Sequence, residues 1–223
     1  MFEAVIFDWD GTLADTRQMV VASFQKVLSE VHCSMSDEFI ARRIGIGAAE
    51  TFREILRTSG VSFDEGLIRL LVDKKIQAEI DLSGNVKLFP GAEELLVSLQ
   101  GKVKLALASM SNRDVINHML NVLNMRRFFD VVLTVDEVSR SKPDPEIFLK
   151  SALKLKSLPE KCVVVEDSVF GVKAAKAAKM GCIAVLTGVY SREELKKANP
   201  DLIVDSLKEK SKVLSFIFGY FPK

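Results

Sequence analysis

Two aspartates separated by one residue, Asp8-Trp9-Asp10, run directly into Gly11-Thr12. A glycine at that place permits a sharp turn, so both carboxylates can converge on one point. Such a pair binds a hard divalent cation, or divides into a nucleophile and an acid/base. The plainer alternative is a strand end with Asp10-Gly11 as a turn. Three further clusters carry complementary chemistry. Ser109-Met110-Ser111-Asn112 offers a small hydroxyl suited to a phosphate oxygen, or simply a cap for the helix starting near Arg113. In Ser141-Lys142-Pro143-Asp144-Pro145, prolines stiffen the backbone around an ammonium. That ammonium is a counter-charge to phosphate or clustered carboxylates, or a solvated loop lysine. Glu166-Asp167-Ser168 brings adjacent acids that share a metal with Asp8 and Asp10, or cap the helix that follows. Together the four clusters have the charge logic of phosphoryl transfer: acids hold a metal, while cation, hydroxyl and backbone amides hold phosphoryl oxygens.

The elements that must position these groups are legible from periodicity. Ala4-Val5-Ile6-Phe7 is a short apolar run of strand formers, and similar runs recur at 103–108, 131–134, 162–165 and 182–186. Helical patterns separate the later runs, at 92–99, 113–123, 145–155 and 169–179. This alternation predicts βαβ units and an α/β fold with a parallel sheet. Ligands bind beyond the carboxyl ends of parallel strands, where the Asp8, Ser109 and Glu166 clusters fall. From about 16 to 86 the rhythm breaks. Met19, Val20, Phe24, Val27 and Leu28 share one helical face, as do Phe52, Ile55 and Leu56, and then Leu67, Leu70 and Leu71. A helical module over 15–86 is therefore expected, inserted into a core made of 1–14 and 87–223, with hinges near Asp15 and near Pro90.

Composition excludes other classes. Of 223 residues, 48% are hydrophobic and 27% charged, which excludes disordered and fibrous chains. Lysine plus arginine numbers 31 against 30 acids, so bulk charge gives no reason to expect nucleic acid or a membrane surface as partner. Cys33, Cys162 and Cys182 form no C-x-x-C pair, which disfavours a thiolate zinc site and fits a reducing compartment. A cytoplasmic location is expected, since no apolar stretch reaches the ~18 residues of a membrane span.

On the order and spacing of these clusters, the chain resembles the haloacid dehalogenase superfamily, in its phosphoglycolate phosphatase and β-phosphoglucomutase-like branch. Asp8-Trp9-Asp10-Gly11-Thr12, Ser109, Lys142 and Glu166-Asp167 match the four motifs of that family in turn. The resemblance implies a Rossmann-like core with the first strand central and an all-α cap inserted after it. It implies Asp8 as nucleophile, giving an aspartyl-phosphate, and Asp10 as the acid and base serving leaving group and water. Mg2+ would be held by Asp8, Asp167, the carbonyl of Asp10, and Glu166 directly or through water. Ser109 and Lys142 would cradle the phosphoryl group, with the amides of Trp9 and Asp10 adding to the cradle while the Trp9 side chain packs.

Single residues refine the expectation to a Mg-dependent phosphomonoester hydrolase acting on a small phosphorylated metabolite. Dehalogenase members lack an aspartate at the position of Asp10, and phosphonate-cleaving members have alanine there. A phosphosugar mutase is the alternative reading, since Asp15-Thr16 and Glu166-Asp167 look like the mutases. Those enzymes, however, carry histidine where this chain has Val20 and basic residues around the cap glycine resembling Gly45. Arg42, Arg43 and Lys75, with Lys74, are the candidate substrate contacts on the cap; the arginines read equally as a solvated helix face. The tail from 208 onward is expected to place a last helix on the sheet, with Phe216, Phe218 and Phe221 available to a dimer contact. A monomer or homodimer is expected.

Overall fold

The computed structural model describes residues 1–219. The chain runs β1 (Ala4–Phe7), β2 (Ala14–Asp15), then α1 (Arg17–Glu30), α2 (Asp37–Ala41), α3 (Ala48–Thr58) and α4 (Glu65–Leu82). It continues through β3 (Lys87–Leu88), α5 (Ala92–Leu99), β4 (Lys104–Ala108), α6 (Arg113–Val122), β5 (Val131–Leu133) and α7 (Glu146–Lys154). The last elements are β6 (Cys162–Glu166), α8 (Val169–Ala177), β7 (Gly181–Val185), α9 (Arg192–Lys197), β8 (Leu202–Val204) and α10 (Lys210–Phe218). Six strands form a parallel sheet in the order β5-β4-β1-β6-β7-β8. The fold is the expected α/β architecture of Rossmann type.

Why β1 is central follows from its composition. All four of its residues are buried, as a strand covered by helices on both faces must be. Val5 and Phe7 join Leu105, Leu107, Val163, Val165, Ile183 and Val185 on one face, under residues of α5, α6 and α10. Ala4 and Ile6 share the other face with Ala106, Ala108, Val164 and Ala184, where small side chains let α7, α8 and α9 approach. Strand order reverses at β1, with β4 on one side and β6 on the other, so a crevice opens at its carboxyl end.

Helices α1 to α4 lie between β2 and β3, which pair antiparallel through Ala14–Leu88 and Asp15–Lys87. That two-residue ladder closes the base of the inserted segment, and two residues carry no periodicity to detect in the sequence. Strand β8 and helix α9, three and six residues long, are likewise too short to show a periodicity. On α1 and α3 the expected faces are buried, and Phe24 meets Phe52 with ring centroids 4.7 Å apart. Each such ring contributes roughly 1.5–3 kcal/mol by leaving water. On α4 the expected face is corrected. Leu70 is 51% exposed, while the buried stripe is Ile68, Leu71, Lys75, Ala78 and Glu79. Two charged residues on that stripe disguised it. At the far end, Phe216 of α10 stacks near Phe2 at 5.5 Å; Phe221 lies outside the described residues.

Candidate active site

Asp8 follows β1, Ser109 follows β4 and Glu166 ends β6, so adjacent strands deliver three of the four clusters to one crevice. Lys142 reaches the same place from the loop before α7. Its Nζ lies 2.6 Å from Asp8 Oδ1 and 2.7 Å from Glu166 Oε1, and all three side chains are buried. Burial alone would push the lysine pKa down, but the charges of Asp8 and Glu166 more than reverse this and raise it. Burial raises the Asp8 pKa well above the usual carboxylate range; Lys142 opposes that shift, while Glu166 and Asp10 add to it. Asp167 shifts the same way, through burial first and then the charges of Glu166 and Asp8.

Asp10 faces three hydroxyls. Thr16 Oγ1 donates to its Oδ1 at 2.7 Å, while Ser111 and Ser109 donate to Oδ2 at 2.8 and 3.2 Å. Ser109, expected on a phosphoryl oxygen, thus meets Asp10 first, and its own Oγ accepts from the Ser111 amide at 3.0 Å. Thr16 and Ser111 were not among the expected site residues; a hydroxyl beside a helix start gives no signal beyond capping. Trp9 is buried, as a packing side chain, although its indole N–H finds no acceptor among the described residues.

Glu166 has partners on both of its oxygens. Its Oε2 accepts from the amides of Asp167 and Ser168 and from the Ser168 hydroxyl, at 2.8–2.9 Å. With Oε1 on Lys142, both oxygens are committed, and Glu166 serves as the anchor of Lys142 and of the α8 N-terminus. Ser168 caps α8 by accepting from the Gly171 amide. Among the described residues no three acidic, histidine or cysteine side chains converge as a preformed metal cage. The carboxylates of Asp8 and Asp167, close enough for the charge of one to act on the other, are hard oxygen donors of the kind a divalent cation takes. The backbone is shaped around one of these. A Cβ on Gly188 would stand 1.9 Å from Asp167 Oδ2, and one on Gly11 2.4 Å from it. Thr12 Oγ1 donates to the other Asp167 oxygen at 3.0 Å. Four buried acids face one buried lysine in this crevice, an imbalance that a hard cation offsets.

The cap candidates are redistributed. Arg42 forms an ion pair with Glu194 of α9, its guanidinium lies 4.8 Å from the Tyr190 ring centre, and its carbonyl accepts from the Tyr190 hydroxyl at 2.5 Å. Arg43 pairs with Glu54 and covers Phe39, and Lys74 pairs with Glu30. Lys75 is buried against Glu79. Each of these cations has an acidic neighbour, one that folding brings near for Arg42, Arg43 and Lys74, and one a helical turn further on for Lys75. A cleft of about 280 Å³ opens onto Gly11, Asp167 and Gly188, and is bounded by Tyr190, Phe89 and Arg17.

Acids, a bridging lysine and hydroxyls at the switch point of a parallel sheet define a hydrolase of the Rossmann-like class. The chain belongs to the haloacid dehalogenase-like hydrolase family, whose model matches residues 5–185. It is 34% identical over 179 residues to the phosphorylated carbohydrates phosphatase of Thermotoga maritima, covering 79% of this chain and 81% of that protein. It is 32% identical over 212 residues to the chloroplastic protein Suppressor of quenching 1 of Arabidopsis thaliana, covering 92% of this chain but only 20% of the length of that relative. The crystal structure of β-phosphoglucomutase from Clostridium difficile superposes with a TM-score of 0.86 at 29% identity, covering 98% of each chain. The enzyme class is a haloacid dehalogenase-like hydrolase of phosphatase type.

Proposed function

We propose that the protein is a Mg2+-dependent phosphomonoester hydrolase that works on a small phosphorylated metabolite through an aspartyl-phosphate. The observation that carries this reading is the buried Lys142 bridge between Asp8 and Glu166, set beside the hydroxyl-bound Asp10. Lys142 holds Asp8 Oδ1, which leaves the other oxygen to attack phosphorus. As the new Asp8–phosphorus bond forms, the bond to the leaving oxygen breaks, and Asp10 delivers a proton to that oxygen. Asp10 then takes a proton from the water that attacks phosphorus, releasing inorganic phosphate and restoring Asp8. Ser109 is free to exchange its bond to Asp10 for one to a phosphoryl oxygen, beside the Trp9 and Asp10 amides. Bound between Asp8, Asp167 and the Asp10 carbonyl, Mg2+ would lower the repulsion between these acids and the phosphate dianion. In this reading Glu166 acts through Lys142 and the Asp167 backbone rather than as a direct ligand.

Residues 15–86 act as the cap over this crevice, joined at the β2–β3 ladder. A mutase is the second reading, supported by the likeness to β-phosphoglucomutase. Against it stand the buried Val20 and the commitment of Arg42 and Arg43 to Glu194 and Glu54, which takes those two arginines away from a second phosphate. Phosphate release measured across phosphorylated metabolites with Mg2+ tests the proposal. Asp8→Asn is expected to lower it by roughly four orders of magnitude, and undiminished release would remove Asp8 as nucleophile. Conversion of a hexose 1-phosphate to its 6-phosphate in excess of phosphate release would favour the mutase.

A further inference from the structure

The loop between β7 and α9 touches the site at one end and the cap at the other. At its start the Thr187 hydroxyl donates to the carbonyl of Gly11 at 2.6 Å, across 176 residues of sequence. One residue on, Gly188 lies where a Cβ would stand 1.9 Å from Asp167 Oδ2. Gly11 approaches the same oxygen from its own side, with a Cβ position 2.4 Å away. The Asp167 carboxylate is thus packed between two glycine backbones that the Thr187 hydroxyl ties together. At the end of the loop the Tyr190 hydroxyl donates to the Arg42 carbonyl at 2.5 Å. The ring of Tyr190 faces the Arg42 guanidinium at 4.8 Å, and Glu194 pairs with that guanidinium.

The cap is seated on the core in this arrangement. A Cβ at Gly47 would stand 3.4 Å from Ser141 Oγ, and one at Gly45 would stand 3.7 Å from Ser168 Oγ. Those serines are the chain neighbours of Lys142 and Asp167. The loop that joins cap to site has little slack, since the three peptide units from Thr187 to Tyr190 span at most about 11 Å. Helix α9 begins at once beyond Tyr190, with Ser191 as its cap. A displacement of Tyr190 is therefore taken up by the peptides of Val189 and Gly188, and Gly188 is packed on Asp167. Close-packed contacts of this kind transmit small shifts rather than absorb them.

We propose that Thr187 is a positioning residue for the site, and that the loop from it to Tyr190 makes the placement of Asp167 depend on the seating of the cap. Thr187 holds the Asp10-Gly11 turn against Asp167 from the core side. Tyr190 holds the far end of the same loop against Arg42 of the cap. With the cap lifted, the Tyr190–Arg42 bond is lost, Gly188 is released, and Asp167 loses one wall of its pocket. Coupling between two sites is reciprocal, so a cation that fixes Asp167 also favours the seated cap. The inference rests on Asp167 as a Mg2+ carboxylate in the phosphatase reading.

The test titrates the full chain with Mg2+ alone by calorimetry and follows hydrogen exchange over 42–47 as the measure of cap seating. Hydrolysis of p-nitrophenyl phosphate by the wild type assays the phosphatase reading separately. Thr187→Val keeps the shape of the side chain and removes its hydroxyl, and is expected to weaken Mg2+ binding roughly tenfold. Thr187→Ser keeps the hydroxyl and should stay within about twofold of the wild type. Thr187→Ala takes the place of Thr187→Val if the latter does not melt cooperatively. Tyr190→Phe alters no carboxylate, yet should weaken Mg2+ by about threefold or more. Mg2+ should also slow exchange over 42–47 in the wild type and fail to do so in Tyr190→Phe. A merely structural Thr187 would lower Tm in Thr187→Val and leave Mg2+ affinity unchanged, which overturns the proposal. Unchanged Mg2+ affinity and unchanged slowing of exchange in Tyr190→Phe overturn it as well, while the wild type still binds Mg2+ and hydrolyses the ester. A wild type that binds no Mg2+ and hydrolyses no ester overturns the phosphatase reading and this inference with it.

Discussion

Asp167 shows how closely the backbone is fitted to one carboxylate. Gly11 and Gly188 stand where any side chain would overlap it, and Thr12 holds its second oxygen. Gly188→Ala is therefore expected to displace Asp167 and weaken Mg2+ by roughly 10–100-fold, the range seen when groups supporting a metal ligand are disturbed. Titration calorimetry would read this directly, and an unchanged affinity would remove Asp167 from the metal site. The types and order of Asp8, Asp10, Ser109, Lys142, Glu166 and Asp167 single them out in the sequence, and folding gathers them in one crevice. Glu166 as an anchor was not legible, since its partners are two amides and a lysine 24 residues away. Ser111 is illegible for a similar reason, since its partner Asp10 is 101 residues away.

At the scale of elements, the cap meets the core through α2 and α9. The link is Arg42 at the end of α2, Tyr190 ahead of α9, and Glu194 in its first turn. Glu194 also completes a capping box with Ser191. The Ser191 amide first, and then Arg42, lower the Glu194 pKa to about 2 from an ordinary value of 4.5. A carboxylate depressed in the folded state stabilises above its unfolded pKa and loses that contribution as pH falls through the folded value. The loss should therefore fall between about pH 4.5 and 2, and solvent exposure keeps it modest. Melting temperature followed across that window should decline less steeply in Glu194→Gln than in the wild type. Parallel profiles would show that the contact between α2 and α9 contributes no stability. Helix α4 illustrates what periodicity conceals. Its buried stripe includes Lys75 and Glu79, and a pattern scored on apolar residues rotates the helix toward Leu70.

For the molecule as a whole, four buried acids concentrated at one end of the sheet make the folded chain sensitive to a cation. Binding to the folded state alone stabilises by about 2.7 kcal/mol at a hundredfold excess over Kd. For a chain of this size that is a rise in Tm on the order of 5–10 °C. Mg2+ should produce such a rise, a chelator should reverse it, and Asp167→Asn should abolish it. An equal rise in the variant would place the bound cation elsewhere. Among the described residues no helix is long and apolar enough to cross a membrane.

The sequence by itself determined the parallel α/β core, the helical insertion after β1 and the chemical kind of the crevice. These depend on local apolar runs and on short motifs whose residues are neighbours in the chain. Tertiary structure alone decided which charges are spent and which are available. Arg42, Arg43 and Lys74 read as solvated cations until folding sets Glu194, Glu54 and Glu30 beside them, and folding buries Glu79 completely. Charge interactions act through space in a dielectric that folding itself creates, so residue order identifies the charged groups but not their partners.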